Sequence, residues 1–456
     1  MKRDSLASLH LLSNMRKRLI LLASLFVVLF ELLFIRDSWT TPIAYIPLLF
    51  GLLSLVNIDE TIKKGPGIKV AFFIMCVRYL LMPPMLLLSG YFSYIDYQSP
   101  EMSKSFFLIV IEMIAIFMTL GFSKPKQHKD VIIDATHYSY LFPILLLLVA
   151  AGLSISDPIP LSRYHFILSG AEEMFDTDLD NSTQGLPRFL GMVHYILIAS
   201  VISAFYGVYT KKKSKLIYWI GLFLTILLCC FYQDTSRNSM LIPLLATLFM
   251  FNKLYKQYRK QTTSFILTIV IVSMSLLTLI KQFEVTTLSA LNISNSEPSL
   301  IFERYFGGVT GVYDGFKHEA VIANKIDGQT LLTEVFGKVI GLNRILDQTN
   351  RTSNFYNDAL GSHSFIIPTI SEGYFHFSWL LCWLFTFAIF KLIILFDSLY
   401  ARSKRIDLAF VFVSLSVTLG WMHTGNFIIC MNSFHMSMTI LVIFIFSVIL
   451  GKIKIR

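Results

Sequence analysis

Charge and cysteine are both scarce in this sequence. Of its 456 residues, 15% are charged and 55% are hydrophobic, whereas soluble domains carry roughly 25% charged residues. This composition excludes a disordered chain and disfavours an ordinary water-soluble fold. The five cysteines all lie within apolar runs, so they are interpreted as packing residues rather than as disulfide partners or metal ligands.

Motifs for nucleotide and metal chemistry are missing as well. The chain has no phosphate-binding glycine loop, no HExxH and no CxxC. On one side of the predicted membrane the connectors are no longer than about 16 residues, which leaves no room for a soluble nucleotide-binding domain. We therefore predict no metal and no cofactor, and we expect the chemistry to lie in the membrane or on its other side.

Long apolar runs are what the sequence does have. They recur at close to the length of about 20 residues that a helix needs to cross a bilayer, and in lipid such runs form helices because only a helix satisfies its own backbone hydrogen bonds. We predict an all-α, polytopic membrane protein with about 12 transmembrane helices. The predicted spans lie near 19–35, 40–58, 68–90, 102–121, 137–154, 190–209, 216–232, 239–251, 264–281, 374–396, 407–425 and 432–450.

The connectors between these runs alternate in charge. The N-terminal segment and every second connector after it together hold 25 Lys and Arg and 7 Asp and Glu. The connectors between them hold 12 Lys and Arg and 20 Asp and Glu. Because basic connectors stay in the cytoplasm, both termini are predicted to be cytoplasmic. The net charge of +10 is thus explained by membrane orientation, and nucleic acid is not an expected partner.

Two of the outer connectors are long, and they set the predicted organisation. Residues 1–281 hold the first nine spans and an outer loop near 155–189, and residues 374–456 hold the last three spans. Between the ninth and tenth spans, residues 282–373 form a long helical outer loop, and ordered loops of that length are usually functional.

One stretch of the second outer loop repeats apolar residues at helical spacing. The pattern predicts an amphipathic helix that lies on the bilayer surface, covers a cavity or packs within the loop subdomain. The residues concerned are Leu331, Leu332, Val335, Phe336, Val339 and Ile340.

Arginines on the acidic outer side require an explanation. The guanidinium group binds phosphate and carboxylate through a planar fork of donors, so these residues suit an anionic lipid pyrophosphate; pairing with outer acids is the alternative. Arg237 stands in a tight hairpin before an apolar run of about 13 residues, which is short of the ~30 Å hydrocarbon core. We predict that this hairpin dips into the membrane, an interfacial anchor being the alternative.

The end of the long loop combines titratable residues with helix-breaking ones. Pro368 and Gly373 are predicted break points, so that 364–372 forms a short surface or re-entrant piece and a helix begins near Gly373. Glu372 and His376 are four residues apart and share one helical face. Each is a candidate general base or sugar-binding group; for Glu372 the alternative is an acid that stabilises the N-terminus of its own helix.

Two charges fall at the middle of predicted spans. Arg78 and Glu112 have opposite signs and matching depth, which predicts a structural ion pair rather than a place on a lipid path. Pro83 and Pro84 are predicted to kink the span that carries Arg78.

Three local motifs resemble a known family. They are Thr235-Ser-Arg237 before an apolar run, Arg304-Tyr-Phe-Gly-Gly followed by Gly315, and Glu372-Gly-Tyr374-Phe-His-Phe. Together with the topology, they resemble the Ser-Arg turn, the Arg-x10-Gly pattern and the Glu-x-Tyr-x-x-Phe element of Wzy-type O-antigen and polysaccharide repeat-unit polymerases of bacterial inner membranes. Where that family often has a glycine after the last phenylalanine, this chain has Ser378.

The resemblance implies a metal-independent glycosyltransferase at the periplasmic face of the inner membrane. The donor is a growing glycan on undecaprenyl pyrophosphate, and the acceptor is the non-reducing-end hydroxyl of a lipid-linked oligosaccharide repeat unit. The implied partners are this lipid-linked oligosaccharide, the bilayer and a chain-length-regulating membrane protein.

The same resemblance assigns roles to individual residues. Arg237 and Arg304 stabilise the pyrophosphate leaving group, and His363 or Glu372 is the base. The remaining predicted substrate-binding residues are Arg163, Arg188, Arg344 and Arg351 for donor and acceptor, and Tyr374 and His376 for the sugar.

Two other functions stay open at this stage. An O-antigen ligase uses the same donor with a lipid A-core acceptor, and a lipid-linked oligosaccharide flippase also has many spans. Transporters usually carry polar or broken helices near the midplane, whereas only Arg78 and Glu112 are charged at that depth here. This difference favours an enzyme.

Overall fold

The computed structural model describes residues 2–35, 41–63, 65–89, 99–123, 141–156, 164–166, 185–233, 237–288, 306–337, 339, 342, 345–361 and 366–452. Helix dominates these residues, as the apolar runs predict. Up to the second long outer loop the helices are α1 (Lys2–Phe34), α2 (Ile46–Lys63), α3 (Pro66–Cys76), α4 (Met82–Ser89), α5 (Pro100–Phe122), α6 (Leu141–Ser156), α7 (Gly185–Lys212), α8 (Lys215–Cys229), α9 (Arg237–Leu254) and α10 (Arg259–Leu288). The later helices are α11 (Val309–Lys317), α12 (Glu319–Ala323), α13 (Gly328–Phe336), α14 (Thr352–Leu360), α15 (Thr369–Leu381), α16 (Leu384–Arg402), α17 (Ile406–Met422) and α18 (Phe427–Lys452).

Five of the described helical segments are long and apolar enough to cross a membrane. They are Pro66–Leu88, Pro100–Phe122, Phe189–Lys212, Leu384–Arg402 and Phe427–Phe446. Shorter apolar helices cover several of the other predicted spans. Membrane-crossing helices are therefore confirmed by length and composition, and the number of 12 spans stays a prediction.

The chain forms two compact units. The first comprises Met1–Gln127, Asn295–Asp397 and Thr418–His435. The second comprises His128–Ser294, Ser398–Val417 and Met436–Arg456. The division predicted at residues 281 and 373 concerns position relative to the membrane, which these units do not test.

A buried ion pair lies in the first unit, as predicted. Arg78 Nη1 donates to Glu112 Oε1 at 3.0 Å, and Nη2 lies 2.9 Å from Oε2. Tyr79 Oη donates to Oε2 at 2.8 Å. A π-helical turn, Val77–Leu81, stands just before the two prolines; it covers the residues whose carbonyls lose their helical donors to proline.

The tenth predicted span, 374–396, is not one straight helix. The predicted break at Pro368 is confirmed, because Pro368 is the N-cap of α15. The predicted break at Gly373 is wrong. Gly373 lies inside α15, where an added Cβ would stand 2.0 Å from the carbonyl oxygen of Cys382, so the glycine serves close packing. The interruption falls at Ser378, with φ 56° and ψ −170°.

The amphipathic helix of the outer loop is shorter than predicted. It is α13, which ends at Phe336 and not near Ile340. Its N-terminus is fixed by a capping box, in which Asp327 Oδ1 accepts from Thr330 N at 2.8 Å and Thr330 Oγ1 accepts from Asp327 N at 3.2 Å.

A small ladder of two three-residue strands accompanies the helices of the second unit. The strands β1 (Tyr164–Phe166) and β2 (Phe231–Gln233) pair antiparallel, with Tyr164 opposite Gln233. The ladder joins the first long outer loop to the chain just before Arg237. Both segments are predicted to lie on the outer side, so the pairing agrees with the predicted topology, and the all-α class stands.

Candidate functional site

A buried acid–histidine pair joins helices α13, α14 and α15, in and just after the predicted outer loop 282–373. Glu334 on α13 and His376 on α15 meet with Oε2 and Nε2 at 2.6 Å, and their side chains are 0% and 3% exposed. Glu334 Oε1 accepts from the backbone N of Thr352, the first residue of α14, at 2.9 Å. Thr352 Oγ1 lies 3.2 Å from His376 Nε2. We call Glu334, His376 and Thr352 the dyad cluster.

Glu372 lies one turn before His376 on α15 and is fully buried. Its Oε2 accepts from the backbone N of Phe427, the first residue of α18. Glu372 therefore caps the N-terminus of α18, whereas the predicted alternative was that it stabilises the N-terminus of its own helix. Oε1 is buried and has no hydrogen-bond partner among the described residues. Burial raises the pKa of Glu372 well above its usual range, and the Glu334 charge raises it further. The hydrogen bond from the Phe427 N–H lowers the pKa by a smaller amount.

Arg351 brings a cation to the dyad cluster. It precedes α14 directly, and its Nη2 donates to Gln348 Oε1. Burial lowers the pKa of the guanidinium group, and the charge of Glu334 opposes that effect. A guanidinium of this kind stays protonated at any physiological pH, so positive charge acts on the buried carboxylate.

Unsatisfied polar atoms are frequent on the helices around the dyad cluster. Buried polar groups in folded proteins almost always have a hydrogen-bond partner, and an exception requires an explanation. In the described part of this subdomain and the helix that follows it, buried side-chain atoms without a partner are Thr333 Oγ1, Arg351 Nε, Asn357 Oδ1, Ser371 Oγ, Glu372 Oε1 and Thr386 Oγ1. Helices α13 to α16 therefore carry hydrogen-bonding capacity that a polar ligand or water can use.

Tyr374 lies in a second, more accessible cluster. Its Oη donates to Glu319 Oε1 at 2.5 Å, and Lys104 Nζ lies 3.2 Å from Glu319 Oε2. The Tyr374 ring stands edge-on to Phe316 at 4.9 Å and to Trp379 at 5.0 Å. An aromatic group beside a carboxylate and an ammonium suits a polar ring such as a sugar.

The predicted site residues fall into three groups. The side chains of Arg351, Glu372, Tyr374 and His376 are described, and all four belong to the first unit. For Arg188 and Arg237 only the backbone is described, within α7 and at the first position of α9. The residues that lie outside the described ranges are Arg163, Arg304, Arg344 and His363.

The helix that follows the Arg237 hairpin is short in the structure too. Helix α9 has 18 residues, or roughly 27 Å at 1.5 Å per residue, and its apolar part is Met240–Leu254. The dipping hairpin stays a prediction.

Sequence reasoning missed Glu334, Glu319 and Lys104. Glu334 interrupts the apolar repeat of the amphipathic helix and is four residues from Thr330, so a polar face was recognisable. Which face of the helix packs inward was not. Glu319 and Lys104 are more than 200 residues apart, and nothing local pairs them.

Comparison with family models, curated proteins and solved structures finds no match to this chain. Within the described residues, no group of three or more His, Cys, Asp and Glu is placed to hold a metal ion.

Proposed function

We propose that this protein is a glycosyltransferase that polymerises undecaprenyl-pyrophosphate-linked oligosaccharide repeat units at the periplasmic face of the bacterial inner membrane. The observation that carries the proposal is the buried Glu334–His376 pair, held by an outer-loop subdomain in a chain with membrane-crossing helices. Arg351 and the aromatic cluster around Tyr374 add an anion-binding group and a sugar-binding group to the same unit.

The reaction needs a base and cations. The acceptor hydroxyl oxygen forms a bond to the anomeric carbon of the donor glycan, while the bond from that carbon to the pyrophosphate oxygen breaks. The polyprenyl pyrophosphate leaves with the electron pair, and the hydroxyl proton passes to a base. Cations near the leaving group stabilise its charge, and a positioned base assists the attack.

His376 suits the role of base better than Glu372 does. When Nε2 carries the proton and donates it to Glu334, the Nδ1 lone pair of the neutral imidazole is an acceptor. The raised pKa of Glu372 keeps this carboxyl protonated to higher pH, so a smaller fraction of it is available to accept a proton. We therefore assign His376 as the base and Glu334 as the residue that positions it. His363 stays the alternative.

The leaving-group assignment follows the sequence motifs. Arg237 and Arg304 are proposed to bind the pyrophosphate, and Arg163, Arg188, Arg344 and Arg351 to hold donor and acceptor. The dyad is almost completely shielded in this conformation, so the acceptor reaches His376 only when α13 or α14 is displaced from α15.

The test is reconstitution of the purified protein with a synthetic lipid-linked repeat unit, followed by sizing of the products. A ladder of polymers on the lipid carrier supports the proposal. Transfer of glycan to a lipid A-core acceptor without a ladder supports the ligase, and unchanged glycan in the opposite leaflet supports the flippase.

Variants of the dyad test the assignment of residues. We expect His376→Asn to lower the polymerisation rate by about 10²–10⁴-fold, the range typical of a lost general base, and Glu334→Gln to lower it while leaving the binding of the lipid-linked unit intact. His318→Asn is the matched control, because His318 Nδ1 bonds to the carbonyl of Asp314 on its own segment at 3.0 Å. A folded His376→Asn protein that polymerises at the normal rate contradicts the assignment.

A further inference from the structure

Helix α13 has its polar side turned inward. Thr330 and Glu334, four residues apart, are 0% and 1% exposed. Leu332 and Phe336, also four apart and therefore on one face, are 50% and 42% exposed. A helix on the surface of a water-soluble domain shows the opposite arrangement. Farther along the chain, Ile345 is 78% exposed.

A contact with α18 relates the position of α13 to a helix that is long and apolar enough to cross a membrane. His435 Nε2 donates to the carbonyl oxygen of Val335, in the last turn of α13, at 2.7 Å. The membrane-crossing segment of α18 is Phe427–Phe446, and His435 is eight residues past its start, or about 12 Å along the helix axis.

The opposite end of α18 gives a lower bound on this depth. The helix ends at Lys452, and a basic residue is expected at or beyond the far boundary of the hydrocarbon. A crossing of about 20 residues that ends there begins near residue 432, which would place His435 about 4.5 Å inside the near boundary. Both starting points put the last turn of α13 beside a part of α18 that is expected to lie in the hydrocarbon.

We propose that α13 is an interfacial helix whose Leu332 and Phe336 face the acyl chains of the leaflet in which α18 begins. The depth of about 5–12 Å obtained from α18 matches the depth of about 5–10 Å at which amphipathic helices lie in a membrane interface. The polar side then faces the protein, where Glu334 binds His376, and the apolar side faces lipid.

The placement also indicates how substrate approaches the dyad cluster. Because α13 carries Glu334 on the side opposite its lipid-facing residues, the dyad stands behind a helix that borders the leaflet. A lipid-linked substrate that approaches His376 laterally from the membrane therefore has to displace α13, a consequence that rests on the proposed function. The position of α13 in the leaflet does not depend on that function.

Photo-crosslinking of the full chain in vesicles tests the position of α13. The photoreactive residue p-benzoylphenylalanine is introduced in place of Leu332 or Phe336, and the protein is reconstituted at low density in dioleoylphosphatidylcholine vesicles. Asn324 is the matched control, since it is exposed but lies in a polar turn of the same subdomain. We expect phospholipid adducts, detected by mass spectrometry, at least tenfold more abundant at 332 and 336 than at 324.

Two results overturn the proposal. Lipid adducts no more abundant at 332 and 336 than at 324 place this face in water, and covalent dimers in their place show that a second copy covers it. If a crosslinker variant does not fold, Leu332→Trp provides a second measurement. Brominated acyl chains are expected to quench the added tryptophan, and its resistance to them contradicts a lipid-facing position. Neither measurement uses polymerase activity, so its failure is distinguishable from failure of the proposed function.

Discussion

Asp314 on α11 is a buried carboxyl in the outer-loop subdomain. Burial raises its pKa from an ordinary value of 3.8 to about 6, against the smaller opposing effects of His318 and Lys317. The native state therefore binds a proton more tightly than the unfolded chain does. The free energy of unfolding falls as the pH rises through the window from 3.8 to about 6.

Replacement by the neutral isostere removes this dependence. At pH 7 we expect Asp314→Asn to be more stable than the wild type by up to about 3 kcal/mol, from 1.36 kcal/mol for each pKa unit. The difference should shrink as the pH falls and vanish near pH 4. Unfolding in detergent at several pH values checks this, and a difference that is the same at pH 4 and pH 7 contradicts it.

Ser378 has a backbone conformation that suits glycine. Its φ of 56° and ψ of −170° lie in a region that costs a residue with a Cβ of order 1–3 kcal/mol. This is also the position at which the family that the sequence resembles often has a glycine. This chain therefore has the backbone break without the residue that makes it least costly.

Ser378→Gly is expected to raise the free energy of unfolding by about 1 kcal/mol, because glycine relieves the strain at positive φ. Ser378→Ala is the control, since it keeps the Cβ and loses only the hydroxyl; it should give no gain. Thermal unfolding of the three proteins side by side measures both effects. An equal gain for alanine would show that the hydroxyl, and not the backbone, is responsible.

At the scale of elements, the start of α3 depends on a residue from α16. Asp397 accepts from the backbone N of Gly67 at 2.9 Å and of Ile68 at 3.1 Å, two donors that lack partners within their own helix. Gly65, the N-cap, stands so close that a Cβ there would lie 2.2 Å from Asp397 Cγ. A cap from a distant helix thus replaces the local Ser or Asp that usually fills this place.

We expect Asp397→Ala to cost about 1–2 kcal/mol, the typical loss for a helix cap, and Asp397→Asn to cost less because its amide keeps one acceptor. Gly65→Ala should also destabilise the protein, by displacing Asp397. The double alanine variant lacks the clash with Asp397 Cγ and Oδ1 and keeps only the 2.4 Å contact with the Cβ of residue 397, so the loss should be smaller than the sum of the single losses. Strictly additive losses in detergent unfolding would contradict this coupling.

At the scale of the whole molecule, contacts between connectors respect the two predicted sides of the membrane. Lys104, at the outer end of the predicted span 102–121, pairs with Glu319, which is predicted to be outside. Asp397 bonds Gly67, and both are predicted to be inside. These residues are far apart in the chain, and a single missed span between them would have put them on opposite sides.

The predicted orientation is testable with reporter fusions. Alkaline phosphatase, which is active only in the periplasm, should be active when fused after Asn324 and inactive when fused after Lys213 or Arg402. The reason is the basic excess of the connectors that hold Lys213 and Arg402. A cytoplasm-active fluorescent reporter at the same three positions should give the inverse pattern. The same phosphatase activity at all three positions would contradict the topology.

The sequence by itself determined that the chain builds membrane-crossing helices, and it indicated that Arg78 pairs with Glu112. Both follow from the properties of the bilayer. An apolar run in lipid satisfies its backbone hydrogen bonds only as a helix, and a charged side chain at mid-depth needs a partner of opposite charge. The sequence also indicated that Glu372, Tyr374 and His376 lie near the start of one helix, α15, because these residues stand close together in the chain.

Only the tertiary structure decided what those residues contact. His376 pairs with Glu334, Glu372 caps α18, and α13 turns its polar face inward. Periodicity reports which residues share a face of a helix, but whether the apolar face meets protein or lipid depends on the neighbouring helices. Partners on separate helices are brought together only when the helices pack, and no local pattern records that packing.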